Sequence, residues 1–285
     1  MSVRFHRSPG DAAPHPLATG ITPDLPPRPG RLASAAERRF WEALHDGSTA
    51  VLVDLARSAQ PQRVAAAVYA AIDLVHTDAA AQATDLLDAV WRDARVIDGD
   101  PVCSQYFARQ QVEVTVVPGV ITRLPLDGTS VGLLYVELLQ QRGDLQRALA
   151  VATSLEYAQV TRLRAVDLLV ALEQWQDVID TTDGIGNTDD ASAMLLAYRG
   201  MAFRALADLA AAHECLTRAL RSRSRAAEVR HRALAERAVV RAEQGRRALA
   251  VADLARIRAE DAGSPRLAEA EARLAAIPTR ARQRA

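Results

Sequence analysis

The side chains that could carry chemistry in this chain are few and scattered. His213-Glu214-Cys215 is the densest run of metal-ligating and nucleophilic types. Neighbours on a helix point apart, so the three cannot converge on one ion or one substrate. A zinc centre needs three or four convergent ligands. The expectation is a buried Cys215 beside an exposed His213. Gly184-Ile185-Gly186 lacks the strand that a dinucleotide site requires before it, so it reads as a loop. Asp189-Asp190 open a helical stretch and read as its cap. His45 and His76 stand at helix ends, where an imidazolium suits the dipole. His6 and His15 lie in a proline-rich stretch. Neither G-x-S-x-G nor H-E-x-x-H occurs.

All 35 basic residues are Arg, with no Lys. That removes a phosphate-loop lysine, a Schiff-base lysine and a kinase-type lysine from consideration. The chain therefore reads as a non-enzyme with no cofactor and no metal. The Arg-for-Lys and Ala-rich bias points to a GC-rich bacterial genome. Basic and acidic residues balance at 35 each, so no global charge selects nucleic acid or an acidic substrate. Cys103 and Cys215 form no C-x-x-C pattern and read as buried thiols in a reducing compartment. No apolar run approaches a membrane span, and no apolar stretch follows Arg4 and Arg7 as a secretory signal would need. The expected location is cytoplasmic, with no membrane partner.

One charge run stands out. Between Arg218 and Arg247 there are ten arginines and three glutamates, with Arg218, Arg221, Arg223 and Arg225 at its core. It has two readings. One is a basic patch for an acidic partner, RNA or DNA. The other is a solvated helix face with arginines at a helix C-terminus. The second is favoured, because no aromatics for base stacking are interleaved.

The elements behind these residues are helical. Apolar residues make up 49% of the chain but aromatics only 4%, and Ala and Leu dominate. These are the strongest helix formers, whereas a β-sandwich or barrel needs Val, Ile, Thr and aromatics. Seven of the 13 prolines fall in residues 1–33, which read as a disordered tail dispensable for folding. A docking segment around Pro26-Pro27-Arg28-Pro29 is the alternative. Ser34 and Glu37 form a capping box that opens an N-terminal helical region, residues 34–100. Its helices are expected near 34–46, 49–59, 62–76 and 78–94, with Thr77-Asp78 capping the last. Val112, Val114 and Val116 alternate with polar residues before Pro118-Gly119. This predicts a β-hairpin over residues 111–126, the only β-structure and the boundary to the C-terminal part. Residues 129–277 are helical throughout, and 278–285 form a second disordered tail.

Within residues 129–277 a pattern recurs. Gly200, Phe203, Ala212, Leu216 and Ala219 have the spacing of positions 8, 11, 20, 24 and 27 of a tetratricopeptide repeat, a helix pair of about 34 residues. Val136, Leu139, Ala148, Ala152 and Leu155 form an earlier copy, with Gly143-Asp144-Leu145 at its turn. Val166, Leu169, Val178 and Thr182 form another, with Trp175 at the turn. Ala238, Ala250, Leu254 and Ile257 form a last one. A weaker copy upstream carries Ala71, Leu74, Ala83, Leu87 and Val90. The chain thus resembles the tetratricopeptide family over roughly half its length. Four arginines depart from the pattern: Arg162, Arg199, Arg237 and Arg241 stand where apolar residues belong. Either they carry their heads out to water or the register shifts by one. A plain bundle of Ala-rich hairpins is the competing fold.

The resemblance implies an all-α solenoid of stacked antiparallel helix pairs with one small hairpin. It also implies a protein or peptide partner in a concave groove lined by the first helix of each pair. On this register the groove holds Glu137, Gln140, Gln141, Asp167, Met201 and Arg204. A nucleic-acid-associated regulator using residues 218–247 is the alternative function.

Overall fold

The computed structural model describes residues 3–5, 26–77, 79–156, 158–221 and 225–278. Among these are fifteen helices and three short strands. The fold is all-α, built of antiparallel helix pairs with one small sheet. Packing divides the chain into two compact units, Met1–Val116 with Ile121–Tyr157, and Val117–Val120 with Ala158–Ala285.

In the first unit, α1 (Ala35–Asp46) begins where the Ser34 hydroxyl accepts the Glu37 amide at 3.0 Å and ends at Gly47, φ 66°. Its Phe40 packs edge-on against Tyr106, with ring centroids 4.9 Å apart. Then come α2 (Thr49–Ala56), α3 (Arg63–His76) and α4 (Ala80–Val90). Helix α4 starts from Ala79 without a side-chain cap, and Asp78, expected to help cap it, lies outside the described residues. The weaker-copy residues Ala71, Leu74, Ala83, Leu87 and Val90 are all buried. Two short helices, α5 (Ala94–Asp98) and α6 (Pro101–Phe107), follow on either side of Gly99-Asp100, with Asp93 and Asp100 as their caps.

The hairpin forms as β2 (Gln111–Val117) and β3 (Val120–Pro125), with Gly119 at φ 86° in its turn. Val112, Val114 and Val116 are buried, as their alternation requires. The β-structure is not confined to the hairpin. A further strand, β1 (Val3–Phe5), pairs antiparallel with β2, in register Val3↔Val114, Arg4↔Glu113 and Phe5↔Val112. Hairpins are marginal alone, and a third strand satisfies the open edge of β2.

The expected N-terminal tail needs a second correction. Residues 6–25 lie outside the described residues, as do 279–285 of the C-terminal tail. Residues 26–33, however, hold α1. The Pro26 carbonyl accepts the Trp41 indole N–H at 2.8 Å, and Arg28 pairs with Glu42 at 3.0 Å. A part-buried indole N–H needs an acceptor, and this carbonyl supplies one. The Pro26–Pro29 segment therefore docks on its own chain.

Helices α7 (Gly128–Gln141) and α8 (Leu145–Ser154) make the first full repeat and belong to the first unit. The packing boundary thus falls after Tyr157, one helix pair later than the hairpin. The cause is the hold on α7. The Asp98 carboxylate accepts the Gly128 amide at 2.7 Å, and the Tyr135 hydroxyl donates to Asp88. A Cβ on Gly132 would sit 2.7 Å from the Trp91 ring, so only glycine admits that approach.

The second unit contains α9 (Gln159–Ala171), α10 (Trp175–Thr181), α11 (Asp190–Ala205), α12 (Leu209–Ala219), α13 (Ala227–Glu243), α14 (Arg247–Glu260) and a closing helix α15 (Pro265–Ala276). One local geometry recurs in helix pairs of both units, α1 and α2 included, where Gly47 is left-handed and the Ser48 amide bonds back to the Ala43 carbonyl at 2.8 Å. Gly143, Glu173, Ala207 and Gly245 all take a left-handed φ, at 83°, 57°, 64° and 78°. The amide that follows each bonds back to the carbonyl of Leu139, Leu169, Phe203 or Arg241, at 2.7–2.9 Å. This is the Schellman closure of a helix end. Five residues beyond each turn lies a fully buried residue: Ala148, Val178, Ala212 and Ala250. The turns and the buried residues after them thus recur at the spacing read from the sequence.

A tight crossing lies between α11 and α12. A Cβ on Gly200 would stand 2.6 Å from Leu216 Cγ and 3.2 Å from the Ala212 carbonyl oxygen. Replacing Gly200 with Leu forces those atoms apart. Overpacking costs about 1–3 kcal/mol, more than the roughly 1 kcal/mol gained by removing glycine from a helix. Gly200→Leu is expected to lower stability in urea unfolding; an unchanged or higher midpoint would refute the crossing.

The left-handed turns give the opposite sign. Glu173 and Ala207 hold a conformation that costs a non-glycine residue about 1 kcal/mol. Ala207→Gly is expected to raise stability by about that amount, and Gly143→Ala to lower it similarly. Parallel urea titrations of the two variants check both signs.

Candidate interaction surface

The arginines that broke the repeat pattern neither reach for bulk water nor displace the register. They bond inside the fold. Arg162 and Arg199, from the two helices beside α10, hold its C-terminal end. Arg162 donates to the Thr181 carbonyl at 2.5 Å and to that of Asp183 at 3.1 Å. Arg199 donates to the Ile179 carbonyl at 2.6 Å and pairs with Asp183 at 3.0 Å. Helix α10 is short, and a guanidinium at a helix C-terminus meets both its dipole and its orphan carbonyls. In the last repeat Arg237, 7% exposed, grips Asp253, 2% exposed, through two bonds of 3.0 and 2.7 Å. Arg241 adds a third at 2.7 Å.

On the first helices of the second unit's repeats, charge runs from helix to helix. Asp167 of α9 accepts the Tyr198 hydroxyl of α11 at 2.5 Å and pairs with Arg164 at 3.3 Å. Arg232 of α13 lies over the Tyr198 ring, 5.1 Å from its centroid. Burial first, then the Asp167 carboxylate, push the Tyr198 phenol far above its ordinary range, so it remains a donor. A second line begins at Arg204 of α11, which pairs with Glu243 at 3.1 Å and lies 3.8 Å from Glu236. Glu236 in turn takes two bonds from Arg273 of α15, at 2.6 and 2.9 Å. Burial works against the Arg273 charge, yet its pKa is raised, because Glu236 outweighs burial. Arg266 of α15 repeats the motif with Glu228, at 2.7 Å.

Three of the expected groove residues stand in the second unit. Asp167, Met201 and Arg204 lie on these first helices, each partly exposed. The other three belong to the first unit and divide among themselves. Glu137 is buried and accepts the Gln141 amide at 2.8 Å. Gln140 is half-buried, and its Oε1 has no hydrogen-bond partner among the described residues. Gln141 is exposed and lines an open cavity of about 280 Å³ with Thr84, Asp85, Leu138 and Arg142. The sequence reading missed Tyr198, Arg232, Glu236 and Arg273. Their signal is an Arg or acid on successive first helices, visible only once those helices are stacked.

The arginine run is dispersed by the fold. Arg218 donates to the Ile185 carbonyl at 2.9 Å, and its own carbonyl accepts from Asn187 at 2.5 Å. Arg225 is buried and donates twice to Asn187, at 3.0 Å each. Arg221 is exposed, and Arg223 lies outside the described residues. The Gly184–Asn187 loop is thus a receptor for arginines of this chain. Asp189 caps α11, accepting the Ser192 amide at 2.8 Å while Ser192 Oγ accepts the Asp189 amide. Cys215 is buried, and His213 is half-buried rather than exposed. Burial, then Arg241 and Arg237, lower the His213 pKa.

No known family profile matches the sequence, and no curated protein matches it. Among solved structures it is similar to the N-terminal domain of the EccA1 ATPase from the ESX-1 secretion system of Mycobacterium tuberculosis. The identity is 17% and the TM-score 0.52, over 78% of this chain and 82% of that one. At that identity the likeness is one of fold. No described helix is long and apolar enough to cross a membrane.

The buried trio supplies a test. Asp253→Ala leaves Arg237 and Arg241 facing each other without a carboxylate. Breaking a buried pair in this way costs about 3–5 kcal/mol. Thermal melts should show a loss of that size, and a change under about 0.5 kcal/mol, the size of an ordinary surface substitution, would show that the trio lies open to water.

Proposed function

We propose that this chain is a non-enzymatic scaffold of the tetratricopeptide kind, holding another protein or a peptide on the first helices of its repeats. The observation that carries the reading is the shared turn at residues 143, 173, 207 and 245. It marks successive helix pairs as copies of one unit, and stacked copies present their first helices side by side. Two part-buried lines of polar groups, one through Asp167 and one through Arg204 and Arg273, give those helices fixed groups for recognition. The fold likeness to a domain of an ATPase from a secretion system supports a helical module in general and no particular partner. A cytoplasmic, bacterial setting fits the composition. The nucleic-acid reading draws no support from Arg218 and Arg225, which are engaged within the chain.

The reading is tested with a photo-crosslinking residue at Met201, and at exposed Glu214 of α12 as control. In cells of the source organism, one discrete protein adduct is expected from Met201, none from Glu214, and loss of the adduct on Arg204→Glu. An adduct formed equally from both positions, or untouched by Arg204→Glu, would count against the surface. If nucleic acid is captured instead, and binding falls steeply with salt through counterion release, the alternative function takes its place.

A further inference from the structure

Arginine is the only cationic side chain besides histidine in this chain, and the fold pairs nearly every arginine it shelters. Among the described residues, the other arginines that are buried or half-buried each make a hydrogen bond or ion pair within the chain. Arg232 of α13 is half-buried and makes none among the described residues. Its Nε is shut away from water, which leaves the two terminal nitrogens as the part of the head that a ligand can reach.

The head is nonetheless held. It lies over the Tyr198 ring, 5.1 Å from the centroid, and the Tyr198 hydroxyl is tied to Asp167 at 2.5 Å. A ring face attracts a cation, and stacking fixes the plane of the guanidinium fork. A sheltered cation ordinarily has a counter-charge. The neighbouring acids do not supply it. Glu228 and Glu236 stand one turn to either side of Arg232 on α13, yet they bond to Arg266 and Arg273 of α15. Asp167 is taken by Arg164 and Tyr198. One positive charge, oriented and unanswered, is left between paired ones.

We propose that Arg232 sets the specificity of the surface assigned above by taking the side-chain carboxylate of an Asp or Glu in a bound peptide. The proposal rests on the reading of the first helices as a peptide-holding surface and names the anchor that surface selects. A carboxylate is planar and accepts two parallel N–H bonds from one guanidinium. Its single charge balances Arg232 without breaking an internal pair. A phosphate brings a second negative charge, which would face Asp167, Glu228 and Glu236 with no free cation to meet it. Polar groups of the same surface continue on both sides of Arg232, to Asp167 of α9 and Arg273 of α15. A peptide lying there runs past Arg232 in both directions and meets it with a side chain rather than with its chain end.

The probe is a library of random peptides, acetylated and amidated so that side chains carry the only charges, selected on the full chain. Selected peptides should share an Asp or Glu at one place. Replacing it with Asn or Gln should weaken binding at least about tenfold, as for a charge pair that is truncated on one side. Arg232→Gln should cause the same loss with the parent peptide and no further loss with the replaced one, the coupling of two groups that touch. Arg232→Glu should regain binding when the peptide's acid is changed to Lys. Arg232 has no bonding partner in the chain, so Arg232→Gln should keep the thermal melt. If it unfolds instead, the loss on changing the peptide's acid, measured on the parent chain, still decides. Peptides that bind without an acid, or additive losses, overturn the proposal, as does tighter binding of phosphoserine at the acid's place. Binding that is lost on Arg204→Glu but indifferent to Arg232 overturns this proposal and leaves the surface standing. A selection that yields no binder removes the surface and the proposal together.

Discussion

The close crossing of two helices at a small residue is the constraint from which the rest of this fold follows. At Gly200 the neighbouring helix lies so near that even one added carbon meets Leu216. Such an approach is possible only if each turn delivers its second helix at a fixed height and angle. The left-handed residue and the Schellman closure at 143, 173, 207 and 245 set that delivery. The buried small or β-branched residue five positions later is where the delivered helix lands. Turn and crossing are thus two ends of one geometric requirement. That requirement also explains an Ala-rich, aromatic-poor composition, because large residues at the crossings would hold the helices apart.

Close packing of small residues leaves less apolar area per residue to bury, so polar contacts must help fix how the pairs sit. Arginine suits that task, since its planar fork binds a carboxylate twice or a run of carbonyls at once. Arg162 and Arg199 stabilise the end of a two-turn helix that has little packing of its own. Arg237 and Arg241 share Asp253 at a depth where one unpaired cation would be costly. Lysine, a point charge, could not bind two acceptors in fixed directions. These arginines are therefore structural, and their placement at pattern positions reserved for apolar residues is a substitution of one kind of glue for another.

How much of this was legible in the sequence depends on the range of the interaction. Helix pairs, the repeat register and the hairpin rest on local signals: period, caps, Gly-Asp and Pro-Gly turns. Gly143 and Gly245 announced their turns, whereas Glu173 and Ala207 occupy the same conformation with no glycine to mark it. Most arginine partners lie 12 to 39 residues away, as with Arg241 and Asp253, or Arg204 and Glu243. No periodicity encodes such a pair. The strand Val3–Phe5 was hidden for a similar reason, because the alternation of three residues beside a proline-rich segment is too short to stand out as a period. Among the first-unit groove residues Glu137 is buried while Gln141 is exposed, a difference set by packing against neighbours distant in sequence, which the repeat spacing does not encode.

A surface whose charges are already paired recognises partners differently from a bare patch. Its net field is small, so it does little to steer a partner from a distance. Instead, away from Arg232, each incoming charge must replace an internal one. A partner that offers a carboxylate to Arg204 competes with Glu243, and one that offers a cation to Glu236 competes with Arg273. A partner with the wrong alternation breaks a pair and leaves a half-buried charge unmatched, which costs more than an unmade contact. Discrimination on such a surface comes from the penalty for mismatch rather than from the strength of attraction. On the proposed function, the Arg-acid pairs that join neighbouring helices would for that reason also be the groups that reject a wrong partner.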